Sequence, residues 1–232
     1  MNDAVRRLNH LASINESSSY LEIGVFQGDT FLNVEVAEKV GVDPDFKFDI
    51  APHQSAKSLL VPKTSDQFFE ELDPEVVFDL IYIDGLHTFE QTYRDFCNAL
   101  MHSHSQTIIL IDDVYPTDPF GIFPTQEIAK AERAKLGIVG WAWWGDVFKI
   151  NYMIHDFHPA LNYALIDPRE NAGQLAVWFE GKSPRRPIFN SIEAITRLDY
   201  LGFLNTCAKL NPAAEEIAFE MVTKDFSLLK DS

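Results

Sequence analysis

Seven short apolar runs punctuate the chain: "YLEIGV", "KVGVD", "SLLVPKT", "FDLIYID", "TIILIDD", "NYALID" and "QLAVWF". Each is rich in β-branched, leucine or aromatic residues and stops at a turn-forming or acidic position, the pattern of strands buried on both faces. Between the first five lie stretches with helical spacing, at 29–39, 67–72 and 88–101. Ahead of them "DAVRRLNHLASI" (3–14) sets Val5, Leu8, Leu11 and Ala12 on one helical face. Strand and helix in regular alternation predict a parallel sheet with helices on both sides, an α/β three-layer sandwich. The last two runs are separated only by "PRENAG", so they are expected to pair as an antiparallel hairpin at one edge. The result is a seven-stranded, mostly parallel sheet. One unit is expected over 1–232: an N-terminal helix (1–17), the sandwich (18–180) and a helical cap (181–232).

Composition narrows the partners. The net charge of −16 argues against a broad nucleic-acid surface, which needs clustered cations to displace counterions from phosphates. The basic stretch "KSPRR" (182–186) reads as a solvated turn. No long apolar run suggests a membrane span, and two distant cysteines, Cys97 and Cys207, read as reduced thiols of a cytoplasmic protein. A small-molecule ligand is the expected partner, and a homo-oligomer is compatible with the chain.

In sheets of this kind ligands sit at the carboxyl ends of the strands, so the strand ends carry the chemistry. The first run ends Glu22-Ile23-Gly24-Val25-Phe26-Gln27-Gly28. A nicotinamide site wants G-x-G-x-x-G, and Phe26 stands where the middle glycine would be; a Walker loop wants a lysine that is absent. The second run ends at Asp43, where an acid can accept both ribose hydroxyls. A ribose acceptor without a pyrophosphate cradle implies a nucleoside with another tail. The fourth run ends at Asp84, with His87 three residues on, and the fifth ends at Asp112 and Asp113. Three carboxylates at neighbouring strand ends repel one another and are normally neutralised by a hard cation such as Mg²⁺, or Mn²⁺ or Ca²⁺.

The E-x-G-x-x-x-G loop followed by an acid ending the second strand resembles the class I S-adenosylmethionine-dependent methyltransferases, which are Rossmann-like. "IYIDGLHTFEQTYRDF", "IILIDDVYP" and "WWGDVFK" look like the subgroup with metal-dependent sugar O-methyltransferases of macrolide and aminocoumarin biosynthesis. The acid pattern is also similar to that of catechol and caffeoyl-CoA O-methyltransferases. The resemblance implies S-adenosylmethionine bound by Glu22, Gly24, Gly28 and Asp43, with Ser65 and Asp66 near the adenine. It implies Mg²⁺ or another divalent cation on Asp84, Asp112 and Asp113, His87 as the base, and Trp143 or Trp144 walling the acceptor pocket. A cation that binds a hydroxyl lowers its pKa, and a histidine can then take the proton.

The signature [DN]-P-P-[FY] of amino-directed methyltransferases is missing after the fourth run, which favours a hydroxylated acceptor such as a sugar. Thr64 and Gln67 fit a helix capping box, a structural use for the same turn as Ser65 and Asp66. His102 and His104 read as surface histidines on the opposite rim. Two rivals remain at this level: a non-catalytic module that keeps the cofactor pocket, and a nicotinamide-dependent oxidoreductase, which Phe26 disfavours.

Overall fold

The computed structural model describes residues 3–140, 142–166, 173–179 and 184–230, the side chains of 228–230 excepted. Most of "PRENAG", Trp141 and the start of "KSPRR" lie outside the described residues.

All seven apolar runs form strands: β1 (Ser19–Ile23), β2 (Glu38–Val42), β3 (Ser58–Val61), β4 (Phe78–Ile83), β5 (Ser103–Tyr115), β6 (Asn162–Ile166) and β7 (Gly173–Trp178). They make one sheet in the order β3-β2-β1-β4-β5-β7-β6. β7 runs antiparallel to both β5 and β6, and the other pairs are parallel, as expected for a mostly parallel sheet with an edge hairpin. The strand order reverses between β1 and β4, so a crevice opens where Ile23 lies beside Ile83.

Strand parity divides the core. Along β4, Ile81 and Ile83 face one side while Leu80 and Tyr82 face the other. The first side is covered by α3 (Phe89–Met101), α5 (Lys149–Phe157), α6 (Ile192–Thr196) and α7 (Tyr200–Thr206), through residues such as Phe96, Phe148, Ile154, Ile195 and Phe203. The second is covered by α1 (Asp3–Asn15) and α8 (Glu215–Lys230), through Leu8, Leu11, Val222 and Phe226. The expected apolar face of α1 is buried throughout. The C-terminal segment is thus split between both faces rather than forming one cap. Glu215 joins α8 to α1 by accepting from Arg6 and Arg7.

Two helices expected from spacing, α2 (Ser65–Glu71) and α3, are present, and α4 (Gln126–Lys135) adds one in the segment leading to α5. The stretch 29–39 is different. It makes only turns, closed by Leu32 N–H to Gly28 O (3.0 Å) and Val34 N–H to Thr30 O (3.1 Å), before β2 begins at Glu38. Thr30, Val34 and Val36 are β-branched, and both valines are buried as the chain climbs back to the sheet. Their helical spacing reflects burial, not a helix.

His102 is also corrected. It is 4% exposed, with Nδ1 2.7 Å from the Val76 carbonyl oxygen, because the start of β5 is packed against the loop before β4. His104, within β5, contacts Asp79 Oδ1 through Nε2 at 2.8 Å. Both lie at the amino ends of the strands, on the rim away from the crevice.

Candidate active site

The loop after β1 is built to approach β4 closely. Gly24 has φ +89°, and a Cβ there would lie 2.0 Å from the Asp84 carbonyl oxygen. Gly28 is also left-handed, at φ +83°. Between them Phe26 holds φ +49° and is 55% exposed. Asp43 fixes this loop: Oδ2 accepts from Phe26 N–H at 2.8 Å and Oδ1 from Asp45 N–H at 2.7 Å. Each carboxylate oxygen keeps a second lone pair for a ligand. Glu22 is buried and accepts from the Tyr20 hydroxyl at 2.5 Å; burial pushes its pKa well up, against that hydrogen bond.

Beside the loop, β4 and β5 deliver the acids. A carboxylate oxygen of Asp84, a ring nitrogen of His87 and a carboxylate oxygen of Asp113 all lie within 4.8 Å of one another. His87 Nδ1 is 2.9 Å from Asp113 Oδ2 and 3.0 Å from the Trp143 carbonyl oxygen, and Nε2 is 3.7 Å from Asp84 Oδ1. The imidazole stacks on the Trp143 ring at 4.8 Å between centroids. Burial would lower the His87 pKa, but the hydrogen bonds and charges of Asp113 and Asp84 override it and push it up to about 11. Burial raises Asp84.

Asp112 is close by but engaged elsewhere. It accepts a short bond from the Tyr82 hydroxyl and one from Asp113 N–H (2.8 Å), and burial with its acidic neighbours pushes its pKa up to about 8. Asp113 sits at φ +60°, a left-handed turn that an L-residue holds only under constraint. Behind Tyr82 a buried chain runs to the opposite face: Arg7 Nη1 donates to Gln174 Oε1 (2.9 Å), and Gln174 Nε2 lies 3.5 Å from the Tyr82 oxygen.

On the far side of the loop, Thr64 and Gln67 form the reciprocal capping box of α2. Ser65 and Asp66 in its first turn receive hydrogen bonds from Gln91 Nε2, at 3.2 and 3.0 Å. Asp95 is 1% exposed and also accepts from Gln91; burial raises its pKa to about 6.

One cavity of about 1000 Å³ joins these groups. Of the residues singled out from sequence, Glu22, Gly24, Asp43, Ser65, Asp66, Asp84, His87, Asp112, Asp113, Trp143 and Trp144 line it; Gly28 supports the loop from behind. Sequence reasoning missed Tyr20, Tyr82, Gln91 and Asp95. Two of them carried a signal: Tyr20-x-Glu22 and Tyr82-x-Asp84 repeat at the two facing strand ends, and residues two apart share a face.

Residues 21–114 match a family model described as a methyltransferase domain. No curated protein matches the chain. Among solved structures, a protein assigned as an O-methyltransferase from Klebsiella pneumoniae is similar at 18% identity and TM-score 0.53, over 78% of this chain and 81% of its own. An O-methyltransferase from Bacillus cereus in complex with S-adenosylhomocysteine aligns at 18% identity and TM-score 0.51, over 77% and 81%. An S-adenosylhomocysteine-bound methyltransferase from Podospora anserina aligns at 16% identity and TM-score 0.53, over 75% and 76%.

Proposed function

We propose that this chain, built on a class I S-adenosylmethionine-dependent methyltransferase domain, moves the methyl group to a hydroxyl of a small acceptor such as a sugar. The observation that carries the reading is the meeting of two constellations in one cavity: the Gly24–Asp43 loop on one wall and Asp84, His87 and Asp113 on the other.

In this reading Asp43 accepts the ribose hydroxyls, Gly24 and Gly28 let the backbone close on the methionine portion, and Glu22 lies near the ammonium. Ser65 and Asp66 take the adenine side. Asp84 and Asp113 offer hard oxygen donors suited to Mg²⁺ or Mn²⁺, with Asp112 adjoining and His87 beside them. Such a cation would polarise the acceptor hydroxyl and lower its pKa. His87 is the group placed to take the hydroxyl proton, once Asp84 and Asp113 no longer hold it in its charged form. Trp143 and Trp144 wall the acceptor, and the sulfonium supplies the leaving group, so alignment is the main work left to the chain.

The test is a calorimetric titration of S-adenosylhomocysteine with Mg²⁺ and again with EDTA, followed by a screen of sugars and phenols for methyl uptake. Cofactor binding in both conditions and metal-dependent uptake support the reading. No binding in either condition refutes it.

A further inference from the structure

The wall of the cavity that α2 and α3 form carries a connected polar network. Asp43 ends β2, and its N–H bonds to Val61 O at 3.3 Å, so the turn after β3 comes next along the cavity. Thr64, Ser65 and Asp66 of that turn, and Gln91 and Asp95 on α3, line the same cavity as Asp43. A nucleoside with its ribose on Asp43 would lay its base against this wall.

Gln91 is the centre of the network. Its Nε2 lies 3.2 Å from Ser65 Oγ, 3.0 Å from Asp66 Oδ1 and 3.0 Å from Asp95 Oδ1, and its Oε1 accepts from Arg94 Nη1 at 2.8 Å. The reverse orientation would set the amide oxygen against both carboxylates and the amide nitrogen against a guanidinium, which can only donate. Arg94 is itself held by Asp66 at 3.0 Å.

Hydrogens are scarce on this wall. The Gln91 amide brings two and the Ser65 hydroxyl one, the latter bonded to Asp95. Arg94 adds its own to Asp66 Oδ2. They serve the Ser65 oxygen and two carboxylates, each of which has about four acceptor sites. Asp95 is 1% exposed, so bulk water reaches it little. A ligand group that brings N–H hydrogens completes the set, whereas a carbonyl oxygen in its place meets lone pairs. Leu86, 59% exposed at the same cavity, offers apolar surface for the flat face of a ring.

We infer that Gln91 is the positioning residue through which this wall selects a 6-aminopurine over a 6-oxopurine, by holding Ser65, Asp66 and Asp95 as a fixed set of acceptors for the exocyclic amine. The inference rests on the methyltransferase reading, because it concerns the base of the cofactor in that reading.

The experiment is calorimetry of S-adenosylhomocysteine and of S-inosylhomocysteine, its deaminated analogue, with the wild type, Gln91→Met and Gln91→Asn. Methionine keeps the length without an N–H, and asparagine keeps the amide one methylene short. The wild type should bind the adenosyl compound at least about tenfold tighter than the inosyl compound. In both variants the ratio should fall to within about threefold, mainly through lost affinity for the adenosyl compound. A merely structural Gln91 would weaken both ligands by the same factor, and that result overturns the inference. So does a wild type that binds the two alike, an outcome that needs no variant to fold. Binding of neither ligand by the wild type refutes the methyltransferase reading and the inference with it, so the two failures are distinct.

Discussion

Replacing Gly24 with alanine tests whether the loop after β1 is held by contact with β4 or merely tolerates a glycine. Two costs apply. At φ +89° an L-residue is strained by about 1–2 kcal/mol. The new Cβ would stand 2.0 Å from the Asp84 carbonyl oxygen, so the two strand ends must part by more than about 1 Å to reach ordinary contact. That movement is opposed on both sides, by Gly24 N–H to Val42 O (2.9 Å) and Asp84 N–H to Ile23 O (2.8 Å). Overpacking of this kind costs about 1–3 kcal/mol, and one lost backbone bond about 1 more. The sum is about 3–6 kcal/mol, or about 6–24 °C in Tm for a chain of this size. Gly137 supplies the control: φ is +68°, but a Cβ there would meet nothing within 4 Å. Gly137→Ala should therefore show the strain alone, about 2–8 °C. Differential scanning fluorimetry of both variants, with S-adenosylhomocysteine titrated into each, gives the comparison. The Gly24 variant should also lose at least about tenfold in cofactor affinity. If its Tm matches that of the control and its affinity that of the wild type, the close approach is not what demands glycine.

Asp43→Asn keeps the shape but replaces one acceptor oxygen by an amide facing Phe26 or Asp45 N–H; S-adenosylhomocysteine affinity should fall about 10- to 100-fold by calorimetry, a loss of about 1.5–3 kcal/mol. Tyr82→Phe removes the hydroxyl that donates to Asp112 and should lower Tm by about 2–8 °C, since a buried acceptor loses its partner. Asp79 accepts from the backbone and hydroxyl groups of Ser18 and Ser19 at 2.8–3.0 Å, which, against the cost of partial burial, hold its pKa down at about 2. Its folded pKa lies below the ordinary value of 3.8, so its stabilisation is full above about pH 4 and is lost as pH falls towards 2. Urea unfolding should show Asp79→Asn less stable than wild type by about 1–2 kcal/mol at pH 7, after allowance for solvent screening, with the difference closing between about pH 4 and 2. A gap that stays constant over that range would refute the account.

The strand ends were legible in the sequence because apolar runs that stop at Asp43, Asp84 and Asp112 mark both a strand and its ligand-facing tip. The wall opposite was less so. The turns at 29–37 mimic a helix because Val34 and Val36 are buried in a chain that climbs to β2, and periodicity registers burial whatever its cause. His102 is buried by Val76, a neighbour supplied by tertiary packing. The grouping of Asp113 rather than Asp112 with Asp84 and His87 depends on left-handed backbone at Asp113. Consecutive residues of a regular strand point to opposite faces, so no spacing rule could have predicted which of the two would turn inward.

The buried chain from Arg7 to Asp112 has a direction built into it. A guanidinium can only donate, so Gln174 must offer its oxygen to Arg7 and its nitrogen to Tyr82. With its oxygen facing that nitrogen, Tyr82 can send its single proton only towards a carboxylate, and Asp112 receives it. Arg7 is itself anchored by Glu215 on α8. An ion pair between the two terminal helices thus dictates, three side chains away, which way a proton points at the floor of the cavity. The two ends of the chain are part of the wiring of its centre.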